Sequence, residues 1–187
     1  MSEDLKQFIS KNKNLFWYTP ESKLYSHSFS STERTITIIG TITLLACQRQ
    51  QLTDLDVSNS PSLTLLYAYE NNLTNLDVRA NTNLNNLNCS YNQLNALDVS
   101  KNTELESLSC NGNSLSSLNV STAHTKLVYL GVQDNNMGAA ALNAIFQSLP
   151  PYTEPGTGDI YIGGNPGFND CNPALAPTGW TVLDIHL

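Results

Sequence analysis

Charged residues are scarce in this chain: they make up 13% of its 187 residues and leave a formal net charge of −7 at pH 7. A nucleic-acid partner is disfavoured, because neutralising phosphates requires a basic stripe that the chain lacks. Adhesion to an anionic membrane is disfavoured for the same reason. The sequence also has no apolar run of about 18 residues, so it predicts no membrane insertion.

The sequence also lacks residue groups that would carry catalysis or bind a metal. Its three histidines, His27, His124 and His186, are far apart, and we expect His124 in a solvent-exposed loop. Its four cysteines form no C-x-x-C pair, which a zinc site of the common kind would need. We therefore predict no catalytic residue, no metal site and no cofactor, and a binding protein instead of an enzyme.

What the chain does have is a repeat of 21 residues, seen in the steps from Leu63 to Leu84 and from Leu84 to Leu105. Each unit reads L-x-x-L-x-C-x-x-N-x-L and continues as Leu-x-x-Leu-Asp-Val, with Ala68 or Val132 in place of Cys in some units. One such unit cannot bury its apolar residues alone, so it must stack on its neighbours. This is the signature of a leucine-rich repeat solenoid.

The predicted fold class is therefore α/β: a curved parallel sheet with one short strand per repeat, a short irregular convex side and one C-terminal helix. The strands are expected near 45–47, 66–68, 87–89, 108–110, 130–132 and 160–162, and the helix over roughly 139–149. Both ends of the stack need caps. We predict an N-terminal helical and aromatic cap over 1–34, repeats over 35–138 and a C-terminal capping repeat over 139–187.

Three sets of polar or sulfur-containing residues recur with the repeat. The Asn after each strand is expected to bond backbone groups of neighbouring coils, with Gln50 and Asn165 at equivalent positions. The Asp of Leu-Asp-Val, at positions 56, 77 and 98, either caps a turn or belongs to a cation-binding ladder; turn capping is favoured. Cys47, Cys89 and Cys110 are predicted to be reduced, buried core residues, with Cys171 unpaired outside the ladder.

Residues between the core positions of each strand point away from the core and form the predicted concave face. Coil 1 contributes Leu44, Ala46, Gln48 and Arg49. The repeat does not require aromatic residues on this face, yet five of the eight tyrosines fall there. The alternatives are ligand binding, which is favoured, and cross-strand stabilisation of the sheet. The predicted binding residues are Tyr67, Tyr69, Glu70, Tyr91, Tyr129, Asp134 and Tyr161.

The N-terminal cap contains two notable segments. The residues from Leu15 to Tyr18 form an aromatic patch, which either plugs the end of the core, the favoured interpretation, or docks a partner. The alternation over 33–42 predicts a first pair of strands.

The unit from Leu87 to Asn102, Leu-x-Cys-x-x-Asn-x-Leu-x-x-Leu-Asp-Val-Ser-x-Asn, resembles the 21-residue repeats of bacterial surface proteins, including the cysteine-ladder internalins. The resemblance covers about 35–182. It implies a bacterial surface or secreted module that binds a protein or glycan without a cofactor. The first residues show no signal peptide, so an intracellular interaction scaffold is the alternative. We expect a monomer and a neutral or basic partner, because Glu70, Asp134 and Asp159 outnumber Arg49 on the face.

Overall fold

The computed structural model describes residues 41–153 and 157–184. Ahead of them, it describes the backbone of three N-terminal strands and the side chain of Ile36. The strands are β1 (Leu15–Tyr18), β2 (Leu24–His27), β3 (Thr35–Ile39), β4 (Leu44–Ala46), β5 (Asp54–Asn59), β6 (Leu65–Tyr67), β7 (Asn86–Asn88), β8 (Ser107–Ser109), β9 (Tyr129–Gly131), β10 (Gly158–Tyr161) and β11 (Trp180–Leu183).

One long sheet runs through the molecule in the order β11-β10-β9-β8-β7-β6-β4-β1-β2. From β4 to β11 all neighbouring strands are parallel, and the register places the central leucine of each strand beside that of the next, as in Leu66 beside Leu87 and Leu87 beside Leu108. The chain is a leucine-rich repeat solenoid, as the sequence predicts. Most strands begin one residue earlier than expected, because they are centred on the second leucine of the repeat and not on the residue after it.

A continuous apolar core lies behind this sheet. The repeat leucines Leu63, Leu84 and Leu105 are completely buried, and so are the strand leucines beside them. The valines of Leu-Asp-Val, including Val57, Val78 and Val99, close the core from the convex side and are also completely buried. No single coil could shield these residues, so the core exists only because the coils stack.

The N-terminal strands differ from expectation. The strand pair β1–β2 is an antiparallel hairpin, and β1 pairs antiparallel with β4, so the hairpin extends the long sheet beyond the first repeat. Over 33–42 there is one described strand, β3, instead of a pair, and it joins β5 in a separate parallel two-stranded sheet. The predicted N-terminal helix and the side chains of the aromatic patch lie outside the described residues. Their predicted capping role stays a prediction.

The C-terminal end matches its prediction closely. A helix spans Ala139–Ser148, against an expected 139–149, and it buries Leu142, Ile145 and Phe146. Two short 3₁₀ helices, Phe168–Asp170 and Pro173–Leu175, follow before the last strand. Trp180 of that strand donates its indole N–H to the carbonyl of Pro150 at 2.8 Å, which anchors the segment after the helix.

The three proposed units, 1–34, 35–138 and 139–187, stay a prediction as domain boundaries. Within the described part of the chain, no helix has both the length and the apolar character needed to cross a membrane.

Candidate functional site

The turns that border the concave face are held by a ladder of buried asparagines. Asn92 donates to the carbonyls of Ala68 and Cys89, both at 3.0 Å, and its side-chain oxygen accepts from the backbone N–H of Leu73 at 3.0 Å. Asn71, Asn113, Asn135 and Asn165 repeat this pattern. The prediction that these residues bond backbone groups of neighbouring coils is confirmed for the asparagines, whereas the side chain of Gln50 donates to the carbonyl of Gln48 in its own coil.

The residue before each ladder position adopts a left-handed backbone conformation, with φ between 53° and 71°. These residues form a column along one border of the face: Arg49, Glu70, Tyr91, Gly112, Asp134 and Gly164. L-residues other than Asn and Asp rarely adopt this conformation. Glycine is needed at position 112 for a second reason, because a Cβ there would lie 2.5 Å from Cδ1 of Tyr91. The Tyr91 ring therefore lies against the backbone of the next coil.

A second ladder on the convex side was missed by the sequence analysis. Asn81 donates to the carbonyls of Val57 and Ser60, and Asn102 donates to those of Val78 and Asn81, at 2.8–2.9 Å. The final Asn of Leu-Asp-Val-Ser-x-Asn was the signal that could have revealed it.

The expectation that His124 lies in a solvent loop is wrong: the side chain is completely buried. It takes the place of the ladder asparagine in the coil that carries an extra residue. Its Nε2 lies 3.1 Å from the carbonyl of Val99, and its Nδ1 lies 3.2 Å from the backbone nitrogen of Ser121. The tautomer with a proton on Nε2 satisfies both contacts. His124 is therefore occupied with a structural role.

The aspartates of Leu-Asp-Val cap turns. Asp56, Asp77 and Asp98 each accept a hydrogen bond from the backbone N–H two residues later, at 2.9–3.0 Å. Arg79 adds side-chain hydrogen bonds to Asp77 and lowers the pKa of that carboxyl to about 2. The capping interpretation is confirmed. No cluster of three or more His, Cys, Asp or Glu suited to a metal occurs among the described residues.

The three ladder cysteines are completely buried, as predicted, and all four cysteines are free. Burial raises the pKa of Cys47 and of Cys89 to about 12. Since the thiolate is the reactive form, these thiols are poor nucleophiles and poor metal ligands. Cys171 is partly exposed, and its thiol contacts the carbonyl of Phe168 at 3.1 Å.

The first coil of the concave face differs from prediction. Leu44, Ala46 and Gln48 were expected to face solvent, yet all three are buried. Leu44 and Ala46 form a small apolar cluster of their own, packed against Leu65 and Tyr67 on the next strand. Apart from Arg49, which is exposed, the accessible part of the face therefore starts at β6.

The five predicted tyrosines do not form one patch. Tyr67 and Tyr69 lie on the coil of β6, whereas Tyr129 and Tyr161 lie on β9 and β10 with ring centroids 5.2 Å apart. The strands β7 and β8 separate the two groups, and they present Asn86, Asn88, Ser107 and Ser109. With about 4.8 Å between strands, the aromatic groups stand roughly 14 Å apart. Tyr91 is 44% exposed at the border of this polar stretch.

Charge is concentrated at one border of the face. Arg49 forms a two-point ion pair with Glu70, at 2.6 and 2.9 Å, and its guanidinium carbon lies 5.7 Å from the centre of the Tyr69 ring. Because this arginine and Glu70 neutralise each other, Asp134 and Asp159 set the charge of the remaining face. Burial raises the pKa of Tyr67, Tyr69 and Tyr129, so these phenols stay neutral donors at physiological pH.

No protein-family model and no curated protein matches this sequence. Among solved structures, the chain is similar to the functional domain of InlJ from Listeria monocytogenes, which is described as including a cysteine ladder. The sequences are 21% identical, the match covers 66% of this chain and 40% of that chain, and the TM-score is 0.46. This chain thus corresponds to less than half of that protein's length, and the likeness is one of fold alone.

Proposed function

We propose that the protein is a non-catalytic recognition module that binds a protein or a glycan with its concave face. One observation carries the proposal. The ladder asparagines and the Leu-Asp-Val aspartates form hydrogen bonds with the backbone, whereas the concave face carries aromatic residues that its architecture does not require: Tyr67, Tyr91, Tyr129 and Tyr161. Tyrosine offers rigid contact area with a polar end and is enriched at binding surfaces.

The narrow width of the face favours an extended ligand. A strand of three residues is about 10 Å long, so the face is a narrow band that crosses several strands. A single glycan chain or an extended peptide fits such a band better than a broad protein surface does, because a standard protein interface engages about 20–30 residues on each side.

We further propose that the protein is monomeric and acts at a bacterial surface or after secretion. The support is the resemblance of its repeats to those of bacterial surface proteins. The buried thiols are compatible with an oxidising compartment, because a thiol with a pKa near 12 reacts slowly with oxidants. An intracellular scaffold is the alternative, and fractionation of the native host with an antibody to this chain distinguishes the two.

The test of the binding face compares two double variants. Tyr67→Ala/Tyr91→Ala removes aromatic surface from the concave face, while Asn95→Ala/Ser116→Ala changes two exposed convex residues and serves as the matched control. Both are screened on a glycan array and in pull-downs from a host extract. We expect the concave variant to lose binding and the convex variant to keep it. Full retention of every ligand by a folded concave variant would refute the proposal.

A further inference from the structure

Gly131 lies at the centre of a cluster of side chains on the concave face, and Tyr129 and Gln133 fold over it. Its neighbours in the sheet are Ser109 on β8 and Tyr161 on β10. Along its own strand the next outward side chains are Tyr129 and Gln133. A Cβ at Gly131 would lie 3.1 Å from Oε1 of Gln133 and 3.4 Å from Cε1 and the hydroxyl of Tyr129. The space that a side chain would take at Gly131 is thus filled by the Tyr129 ring and the Gln133 carboxamide, which both lie against the glycine backbone.

The carboxamide of Gln133 is the unusual feature of this cluster, because it is buried without hydrogen bonds. It is completely buried, and neither its oxygen nor its nitrogen has a hydrogen-bond partner among the described residues. Leaving a buried polar group without a hydrogen bond destabilises a fold, and this side chain has two such atoms. An amide of this kind in a native fold calls for an explanation.

Among the described residues, the side chains at the equivalent position of the neighbouring coils form no hydrogen bond with Gln133. The equivalent positions in the adjacent coils are Asn111 and Gly163, as the backbone ladder between these coils shows. The oxygen of Asn111 already accepts from the hydroxyl of Ser90 at 2.5 Å. Gly163 has no side chain to offer. Neither neighbouring coil therefore supplies a hydrogen-bond partner to Gln133.

The groups around Gly131 combine aromatic rings with hydrogen-bonding side chains. Tyr129 and Tyr161 supply two tilted rings, and Ser109 lies beside Gly131 in the sheet register. Asp159 lies beside Tyr129 in the sheet register and adds a carboxylate acceptor. Together these side chains offer aromatic surface, one amide with both a donor and an acceptor, hydroxyls and a negative charge.

We propose that Tyr129, Gln133 and Tyr161 form a subsite around Gly131 for one ring of a neutral sugar chain. This inference rests on the proposed concave-face function and names its ligand class. Adjacent hydroxyls of a sugar offer a donor and an acceptor side by side, which matches a carboxamide. The C–H face of the ring packs on tyrosine. Asp134 and Asp159 disfavour acidic sugars, because they would repel a carboxylate or sulfate.

The proposal requires that ligand binding turn the Tyr129 or Tyr161 ring so that the amide meets the sugar. Both tyrosines are half-buried at the surface, and rotamer changes of such side chains are common when a ligand binds. It also predicts that one substitution changes stability and sugar affinity in opposite directions. Gln133→Leu removes two unsatisfied atoms and should raise the stability of the fold, yet it should weaken the binding of sugar.

The experiment titrates the intact chain with cellohexaose, laminarihexaose and chitohexaose, and with a hyaluronan hexasaccharide as the acidic comparison, by calorimetry. The variants are Gln133→Leu, which removes the amide, and Gly131→Ala, whose methyl group would press on the amide and on the Tyr129 ring without removing any polar group. Tyr67→Ala is the control at the other aromatic group. Urea unfolding of each variant is measured in parallel.

We expect at least one neutral hexasaccharide to bind and the acidic one not to bind. Gln133→Leu should unfold at higher urea than the wild type and should bind about tenfold more weakly, as loss of two hydrogen bonds implies. Gly131→Ala should also weaken binding, and Tyr67→Ala should do so by a smaller factor.

Two results would overturn the subsite. Unchanged sugar affinity in both Gln133→Leu and Gly131→Ala would show that Gln133 is only a packing residue. Failure of the wild type to bind any neutral hexasaccharide would exclude the ligand class. In either case the proposed function is judged separately, by whether Tyr67→Ala/Tyr91→Ala loses a partner found on the array or in the pull-down.

Discussion

Replacing Asn92 with alanine tests the energetic role of the ladder that supports the binding face. The change removes the hydrogen bond to the backbone N–H of Leu73, which then has no acceptor. The carbonyls of Ala68 and Cys89 each lose one of two donors, because Asn71 and Asn113 also donate to them. One orphaned N–H at about 1–3 kcal/mol and two weakened carbonyls at about 0.5–1 kcal/mol each give a cost of about 2–5 kcal/mol.

Urea unfolding with equal slopes for wild type and variant measures this cost. A loss of about 3 kcal/mol should also lower the melting temperature by roughly 6–12 °C for a chain of this size. The control is Gln93→Ala at the exposed neighbouring position, which should stay within about 0.5 kcal/mol of the wild type.

Neighbouring ladder asparagines share carbonyl acceptors, so their substitutions should not be additive. Asn92 and Asn113 both donate to the carbonyl of Cys89, so Asn92→Ala/Asn113→Ala removes both of these donors. The double variant should lose more than the sum of the two single losses, by about 0.5–3 kcal/mol. Asn92 and Asn135 share no carbonyl, and their losses should add. Additive losses in both pairs, or a cost for Asn92→Ala no greater than for Gln93→Ala, would refute the reasoning.

Three further outcomes are expected. Thiol titration of the native protein should find Cys171 more reactive than the other three cysteines, and the unfolded protein should show four thiols. Cys89→Asp should lower the free energy of unfolding by at least about 2–3 kcal/mol, because it places an unpaired charge in the core. Because the folded pKa of Asp77 is depressed to about 2, its stabilisation is full above the unfolded carboxyl pKa near 4 and is lost as the pH falls through that window. Unfolding midpoints of Asp77→Asn and wild type should therefore converge towards pH 2. Gly112→Ala should destabilise the fold, since its Cβ meets the Tyr91 ring and its φ is 64°; adding Tyr91→Ala should recover only the part of the loss due to the clash.

The repeat made the fold predictable because the same pattern of residues recurs in each coil. A leucine that recurs every 21 residues must take the same place in each coil, and Leu66, Leu87 and Leu108 do so in register. The helix over Ala139–Ser148 was equally accessible, since its strong helix formers and the prolines after it act locally. Wherever several coils or a local signal agreed, the prediction was correct to about a residue.

Features outside the repeat were harder to predict. The antiparallel pairing of β1 with β4 joins segments that carry no common pattern, so composition could suggest a cap but not its partner strand. His124 was misplaced because an inserted residue suggests a loop, although histidine can span the extra distance and still replace the ladder asparagine. Leu44 and Ala46 were placed on an open surface because strand alternation gives the side of the sheet, not what covers it.

The difference between features that recur with the repeat and features that do not also separates structural from functional residues on this molecule. A polar residue that recurs in every coil is explained by what the backbone needs, as Asn92 and Asp77 demonstrate through their hydrogen bonds. A residue that occurs in one coil only, with no backbone group to satisfy, is not explained by the fold. The pairing of Gln133 with Gly131 is such a case: Gln48 takes the same repeat position in the first coil, but only in the coil of β9 does the buried amide lie against a glycine, with neither of its polar atoms hydrogen-bonded among the described residues. Departures of single coils from the repeat are therefore where the specificity of this face is to be sought, and Gly131 and Gln133 occur together in the same coil.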